Sequence, residues 1–166
     1  MQKIRLYTSK TVYAVAVAFC VLIAAFIFGM SHEAATESAS RSGTISNVLA
    51  PIVVEDFELL QAEEKDTILS EIDHVVRKIA HFCIYAIFGV FILLASFWHE
   101  RAYAVHGSVS FAIGTLYAAS DEIHQMFVPG RGPLATDVLL DSAGVLCGIV
   151  SVIACARIIM RKKRAS

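Results

Sequence analysis

Residues 120–131 read SDEIHQMFVPGR and place two acids, a histidine, a glutamine and an arginine between two long hydrophobic segments. Polar groups at the edge of a membrane are costly to keep, so they are functional candidates by default. The helix-breaking residues Pro129, Gly130, Gly132 and Pro133 lie at the end of this stretch or just after it and force a loop. The stretch therefore predicts a turn between two membrane helices, with a functional site next to it.

The rest of the composition is typical of a membrane protein. Of the 166 residues, 57% are hydrophobic and 17% are charged, whereas soluble domains carry about 25% charged residues. The four cysteines lie in apolar segments without a CxxC motif or zinc-binding spacing, which indicates small hydrophobic residues rather than ligands. A net charge of −1 gives no support for nucleic-acid binding.

Four segments are predicted to be membrane helices, since a span needs about 20 apolar residues. They cover residues 11–30, 78–98, 102–120 and 137–160. The first is longer than the apolar core of a signal peptide, which has about 7–15 residues, and no convincing cleavage site follows it. It is therefore predicted to remain as an uncleaved first helix.

The region between the first two spans is predicted to lie outside the membrane. Residues 31–47, rich in Ser, Ala, Thr and Glu, indicate an exposed linker, and residues 48–60 indicate a segment at the membrane interface, broken by Pro51. Apolar residues at spacings of three and four from Ile68 onward predict an amphipathic helix that continues into the second span.

The predicted fold is all-α, an integral membrane bundle of four transmembrane helices with an extracytoplasmic amphipathic segment between helices 1 and 2. Its predicted parts are the cytoplasmic N-terminus with the first helix (1–30), the extracytoplasmic segment (31–73), a three-helix membrane core (74–160) and a basic cytoplasmic tail (161–166).

The distribution of lysine and arginine predicts the orientation. With four spans both termini lie on one side, which would hold nine basic residues against five on the other. The positive-inside rule places the richer side in the cytoplasm. The polar stretch at 120–131 then faces the outside, together with Arg77, Lys78 and His81. This shared location favours one site, built from several helices, at the outer face of a cytoplasmic membrane.

Polar residues recur at helical spacing near the outer end of three predicted spans. The second span carries His74, Arg77 or Lys78, His81 and Tyr85. The third carries Ser110, Gly114, Tyr117, Asp121 and then His124 or Gln125. The fourth carries Asp137, Asp141, Gly144 and Gly148. A common outward-facing pocket between the three helices is the simplest interpretation, with Glu122 off the line of the third stripe and able to face solvent.

Gly144 and Gly148 form a GxxxG pair, which invites close approach of another helix. That helix belongs either to the same chain or to a second copy, so homo-oligomerisation and packing within the chain both stay open.

Several chemical roles fit the polar residues. A carboxylate beside an imidazole suits general acid/base work, and the catalytic candidates are Asp121, Glu122, His124, His81 and Asp141. The substrate-binding candidates are Arg77, Lys78, Tyr85, Gln125, Arg131 and Asp137. Among these, the cations suit a phosphate or carboxylate group. A divalent metal would fit Asp121, Glu122, His124 and His81, but the spacing D-E-x-H is not diagnostic of one.

Each candidate also has a purely structural interpretation. Asp121 and Arg131 would form a clamp that ties down the loop, and Asp137 would be favoured at a helix N-terminus by the helix dipole. The basic side chains of the second span would anchor it at the interface. His81 would be a histidine satisfied by its neighbours. Asp141 lies one turn too deep to cap a helix and therefore needs another partner.

The combination of motifs resembles the VanZ-like family. The sequence matches RKxxHxxxY from Arg77 to Tyr85, DExHQxFxPxR from Asp121 to Arg131, and DxxxDxxG from Asp137 to Gly144. Together the three patterns are specific, although each alone is weak. The resemblance implies a small bacterial multi-helix membrane protein and implicates the same polar residues without assigning chemistry to them. Because the family's namesake is linked to teicoplanin resistance, the resemblance also raises glycopeptide tolerance as a hypothesis.

Two functions follow as hypotheses. The first is a membrane enzyme that acts on an envelope or lipid-linked substrate at the outer leaflet of the bilayer. The second is a non-catalytic protein that uses the same groups to bind a lipid head group, a glycopeptide or a partner protein. A transporter is less favoured, because the polar groups lie at one end of the spans and do not line a path through them.

Overall fold

The computed structural model describes residues 9–32, 35–97, 102–129 and 134–165, with side chains except at 35–42 and 163–165. These residues form five α-helices and one short 3-10 helix, and no strand occurs among them. The helices are α1 (Lys10–His32), α2 (Ala35–Val53), α3 (Ala62–Ser96), α4 (Tyr103–Gln125) and α5 (Ala135–Ala165), and the 3-10 helix is Phe57–Leu59. The all-α prediction is confirmed.

In the described part of the chain, three helices are long and apolar enough to cross a membrane, and they cover Lys10–Ser31, Ala62–Ser96 and Ala135–Lys162. The remaining predicted span, residues 102–120, is helical within α4 but less apolar than the others. Its polar residues explain the difference, and two of them, His106 and Ser110, are buried against the neighbouring helices. A helix that keeps its polar groups on the inside needs fewer apolar residues along its length.

Residues 35–53 form the helix α2, and its first part, up to residue 47, lies where the composition predicted an exposed linker. That prediction was wrong about conformation, because Ala, Glu and Ser are compatible with a helix when tertiary contacts favour one. Ser46 and Ala50 are buried where α2 packs on α3. Pro51 lies in the last turn of α2, where its missing N–H and its ring favour an end to the helix.

The helix α3 confirms that the amphipathic segment runs into the second predicted span without a break. It has 35 residues, which at 1.5 Å per residue makes it about 52 Å long, whereas the hydrocarbon core of a bilayer is about 30 Å thick. A capping box of Gln61 and Glu64 starts the helix. Lys65 of α3 donates a hydrogen bond of 2.9 Å to the carbonyl of Glu58 and so holds the 3-10 helix against the start of α3. The helix is therefore longer than a bilayer core, and its acidic first part would extend out of the hydrocarbon if the apolar part crossed it.

Glycines allow α5 to pack very closely on α3. A Cβ atom at Gly144 would lie 2.5 Å from the carbonyl oxygen of Phe82 in α3. A Cβ atom at Gly148 would overlap the carbonyl oxygen of Ala86, about one turn further along α3. From the other side, Gly89 of α3 faces the backbone of Val145. The GxxxG pair is therefore used for packing within the chain, which is one of the two alternatives that the sequence left open.

The antiparallel order of the helices gathers four helix segments at one end of the bundle. These are the end of α1, the middle of α3, the end of α4 and the start of α5. Ser31 of α1 donates to Asp121 of α4, and His81 of α3 approaches Asp141 of α5. At the opposite end, Tyr103 of α4 contacts the sulfur of a methionine in the last part of α5. The polar residues thus share one end, as the stripes predicted.

Candidate functional site

Asp121 is the centre of a buried hydrogen-bond network that joins α1, α3 and α4. It is only 4% exposed. Its Oδ2 accepts hydrogen bonds from Ser31 Oγ at 2.9 Å, from the Tyr85 hydroxyl at 3.2 Å and from Gln125 Nε2 at 3.4 Å. Its Oδ1 is buried without a partner in the protein. Three donors on one oxygen fix the orientation of the carboxylate and leave the other oxygen available.

His81 and Asp141 form a second buried pair beside this network. His81 Nδ1 lies 3.7 Å from Asp141 Oδ2, which is longer than a hydrogen bond but within ion-pair distance. Asp141 is 3% exposed, and its Oδ1 also lacks a protein partner. The partner that Asp141 was predicted to need is therefore an imidazole, and it satisfies only part of the carboxylate.

Two ion pairs lie next to these carboxylates. Lys78 Nζ is 2.9 Å from Asp137 Oδ1 and links α3 to the first turn of α5. Arg77 Nη2 donates to Asp73 Oδ2 at 2.8 Å, one turn earlier on the same helix. Two of the three cations that were predicted to bind an anionic substrate, Arg77 and Lys78, are thus already paired with carboxylates. Asp137 has a cation as partner in addition to its favourable place at a helix N-terminus.

A cavity of about 210 Å³ lies next to these groups, between α3, α4 and α5. Residues from all three polar stripes line this cavity, and its predicted position at the outer face of the membrane stays a prediction. Its polar lining residues are His74, Arg77, Lys78, His81, Glu122, Gln125, Asp137 and Asp141.

Glu122 is buried at this cavity, and the expectation that it could face solvent was wrong. It is 7% exposed, and its Oε1 accepts a hydrogen bond of 2.5 Å from the backbone N–H of Leu134. Burial raises the pKa of the Glu122 carboxyl above its usual value, and the bond from Leu134 opposes part of that rise. Since the bond joins the end of α4 to the residue before α5, Glu122 holds the two helices together across the loop.

His124 lies apart from the cavity. Its ring stacks on Phe28 of α1 with centroids 4.4 Å apart, and its Nε2 is 3.3 Å from His32 Nδ1. Spacing alone left His124 and Gln125 as alternatives for the inward face of α4, and the structure places Gln125 there. The imidazole nearest to the buried carboxylates is His81.

The structure brings together most of the residues that the sequence singled out. Arg131 lies outside the described residues, so the predicted clamp between Asp121 and Arg131 stays a prediction. Sequence reasoning missed Ser31 and Asp73. Asp73 carries a signal, since it precedes Arg77 by four residues on a predicted helix, whereas one serine at the end of an apolar segment carries none.

Three side chains with metal-ligating atoms lie close together. One ligand atom each from His81, Asp121 and Asp141 lies within 4.8 Å of the others, and no other such group was found in the described part of the chain. The residues come from α3, α4 and α5, so the site exists only in the folded bundle. Chemically, the cluster offers one imidazole and two carboxylates, a set that can move protons or bind a divalent cation.

Comparison with known families gives a match to the family described as VanZ/LLP1, over residues 16–159. Because the match covers most of the chain, this protein belongs to the VanZ/LLP1 family, as its three motifs predicted. Neither the curated proteins nor the solved structures gave a match.

Proposed function

We propose that this VanZ/LLP1 protein is an enzyme of the bacterial cytoplasmic membrane that acts on an envelope or lipid-linked substrate at the outer leaflet. The observation that carries the proposal is the meeting of His81, Asp121 and Asp141 beside one cavity, which His81 and Asp141 line. Buried polar atoms of a purely structural cluster are normally satisfied, whereas here an oxygen of each carboxylate has no protein partner. Groups held in such a costly state are typical of functional sites.

Four membrane crossings with both termini in the cytoplasm fit this proposal. The helix α4 packs on α3 and α5, antiparallel to both, so it runs alongside two helices that are apolar enough to cross a membrane. Its outward side carries Ile113 and Leu116, which are 49% and 70% exposed and suit contact with lipid. The positive-inside rule then places the cavity at the outer face.

Labelling of single cysteines in a variant without the four native cysteines tests this orientation. Glu63→Cys, on the exposed start of α3, should react with a membrane-impermeant maleimide added to intact cells. Lys162→Cys, near the end of α5, should react only after permeabilisation. The opposite pattern would place the cavity on the cytoplasmic side and contradict an action at the outer leaflet.

His81 and the two aspartates supply the chemistry in the proposed enzyme. Asp141 orients the imidazole of His81 through Nδ1, so that Nε2 is the atom that accepts or gives up a proton. The present separation of 3.7 Å is of the kind that shortens when a substrate closes the site. Asp121 is held by its three donors and keeps Oδ1 available to bind the substrate or to accept a proton.

Turnover can be tested with purified protein in vesicles made from lipids of a bacterial envelope. Mass spectrometry of the lipids before and after incubation should show a species that changes in mass with wild type and does not change with Asp121→Asn. Asp66→Asn, an exposed position on α3, is the matched control and should retain turnover. If folded wild-type protein changes no species in lipid mixtures that include undecaprenyl-linked precursors, the proposed enzymatic action is wrong.

Glycopeptide tolerance is the physiological role we propose, on the strength of the family resemblance. Teicoplanin susceptibility should fall in a sensitive host that expresses wild type, and Asp121→Asn should abolish the protection at equal membrane abundance. Protection that persists in both Asp121→Asn and His81→Gln would separate tolerance from the cavity. Susceptibility unchanged by wild type would show that this protein does not confer tolerance.

A further inference from the structure

The described residues give the cavity more negative than positive charge. Five carboxyl groups lie in or beside it, those of Asp73, Asp121, Glu122, Asp137 and Asp141, against the two permanent cations Arg77 and Lys78. Both cations are engaged with carboxylates. A phosphate-bearing or other anionic substrate would therefore meet net repulsion from the described residues, whereas a cation would be attracted.

The distribution of unsatisfied atoms points to the same conclusion. Asp121 and Asp141 are 4% and 3% exposed, and in each of them it is Oδ1 that lacks a protein donor. In Asp121, the three available donors all bind Oδ2. Such a division is typical of a metal-binding carboxylate, in which one oxygen is oriented by hydrogen bonds and the other binds the ion.

The third side chain completes a ligand set. His81 contributes an imidazole whose Nδ1 is 3.7 Å from Asp141 Oδ2, and ligand atoms of His81, Asp121 and Asp141 lie within 4.8 Å of one another. Ligands at about 2.0–2.2 Å from a shared ion lie closer together than that, so small side-chain rotations are needed. The three residues stand on three different helices that glycine contacts hold close together.

We propose that His81, Asp121 and Asp141 bind one divalent transition-metal ion, Zn²⁺ or Mn²⁺. One imidazole and two carboxylates suit these ions better than Mg²⁺ or Ca²⁺, which prefer an all-oxygen shell. Three protein ligands leave coordination positions open toward the cavity, which is the pattern of catalytic rather than structural sites. This inference rests on the proposed function for its use and changes the roles assigned there. With the ion bound, His81, Asp121 and Asp141 would be ligands and not proton acceptors, and the ion would offset the carboxylates and hold the anionic part of an envelope substrate.

Metal binding can be measured without knowledge of the substrate. Wild-type protein, purified in detergent and freed of metal with a chelator, should bind about one equivalent of Zn²⁺ or Mn²⁺ per chain in a competitive titration, and Mg²⁺ at equal concentration should not displace it. Bound metal should also raise the temperature of unfolding. Failure of folded wild type to bind either ion above 0.1 equivalents, or displacement by Mg²⁺, would overturn the proposal.

Variants decide which residues hold the ion. His81→Gln, Asp121→Asn and Asp141→Asn should each lose at least ten-fold in affinity, whereas the exposed Asp66→Asn should keep wild-type affinity. His124→Gln tests the other imidazole pair, since His124 and His32 are close enough to share a metal. Loss of the metal in His124→Gln with retention in His81→Gln would assign the ion to that pair and overturn the proposal.

The measurement also separates this inference from the proposed function. Lipid turnover by a protein shown to hold no metal would leave the enzyme standing and refute the metal site. Stoichiometric metal on His81, Asp121 and Asp141 without any turnover would support the metal site and refute the enzyme. Circular dichroism and size-exclusion chromatography of each variant ensure that a loss of metal is not a loss of fold.

Discussion

Replacement of Gly144 by alanine should push α3 and α5 apart and disturb the cavity. The new Cβ would lie 2.5 Å from the carbonyl oxygen of Phe82 and 3.2 Å from the Cβ of Tyr85. Carbon atoms in contact prefer about 3.5–4.0 Å, so the helices must separate by roughly 1 Å. Overpacking of this kind costs about 1–3 kcal/mol, and the gain of alanine over glycine in a helix, about 0.5–1 kcal/mol, offsets only part of it.

The effect should reach the chemistry, because Asp141 is one turn from Gly144 and His81 is the neighbour of Phe82. A separation of about 1 Å is large enough to lose an oriented contact between catalytic groups. We therefore expect Gly144→Ala to lose lipid turnover and metal affinity together with stability. If the contact of α3 with α5 had only a structural role, Gly144→Ala would lower the stability and leave lipid turnover and metal affinity unchanged.

Thermal unfolding in detergent, followed by circular dichroism, measures the change in stability. Gly29→Ala is the matched control, since a Cβ atom at Gly29 of α1 meets nothing within 4 Å, and it should unfold at or slightly above the wild-type temperature. A net loss of about 1–2 kcal/mol corresponds to a decrease of about 2–8 °C for a chain of this size. If Gly144→Ala unfolds at the same temperature as Gly29→Ala, the close packing of α3 on α5 is refuted.

Three further changes test individual contacts. Tyr117→Phe removes a hydroxyl that donates to a carbonyl of α1 at 2.6 Å and should lower the free energy of unfolding by about 0.5–1.5 kcal/mol, measured by denaturant titration; no change would mean that α1 is not held there. A double-mutant cycle of Lys78→Ala and Asp137→Ala should give a coupling energy of about 0.5–1 kcal/mol, and zero coupling would show that the ion pair contributes nothing. Tyr85→Phe removes a donor to Asp121 and should weaken Zn²⁺ binding about ten-fold, whereas unchanged affinity would mean that this donor does not orient the carboxylate.

Periodicity predicted much of the bundle and of its inner faces. Spacings of three and four placed Asp121 and Tyr85 toward the centre, and both are buried there. The same reasoning predicted that α3 would be continuous. These predictions succeed because a helix with one face toward its neighbours repeats its inward residues at a fixed interval, which one sequence can show.

Three features depended on tertiary contacts that no single segment reveals. Three-residue and four-residue spacings deviate from one helical face by similar angles, so the pattern could not choose between His124 and Gln125. Residues 35–53 form a helix that packs against α3, and their composition alone did not distinguish a helix from a linker. The role of Ser31 depends on its meeting a residue ninety positions later in the chain.

Because α3 is one unbroken helix, a tilt at one point displaces its distant parts. Gly89 lies against the backbone of Val145, and we take this contact as the point about which α3 would tilt. His81 lies eight residues away from it, about 12 Å along the helix axis. A tilt of about 5° about that point would move His81 by about 1 Å and the projecting start of the helix by more than 3 Å. A tilt of α3 about that point would thus change the distance between His81 and Asp141.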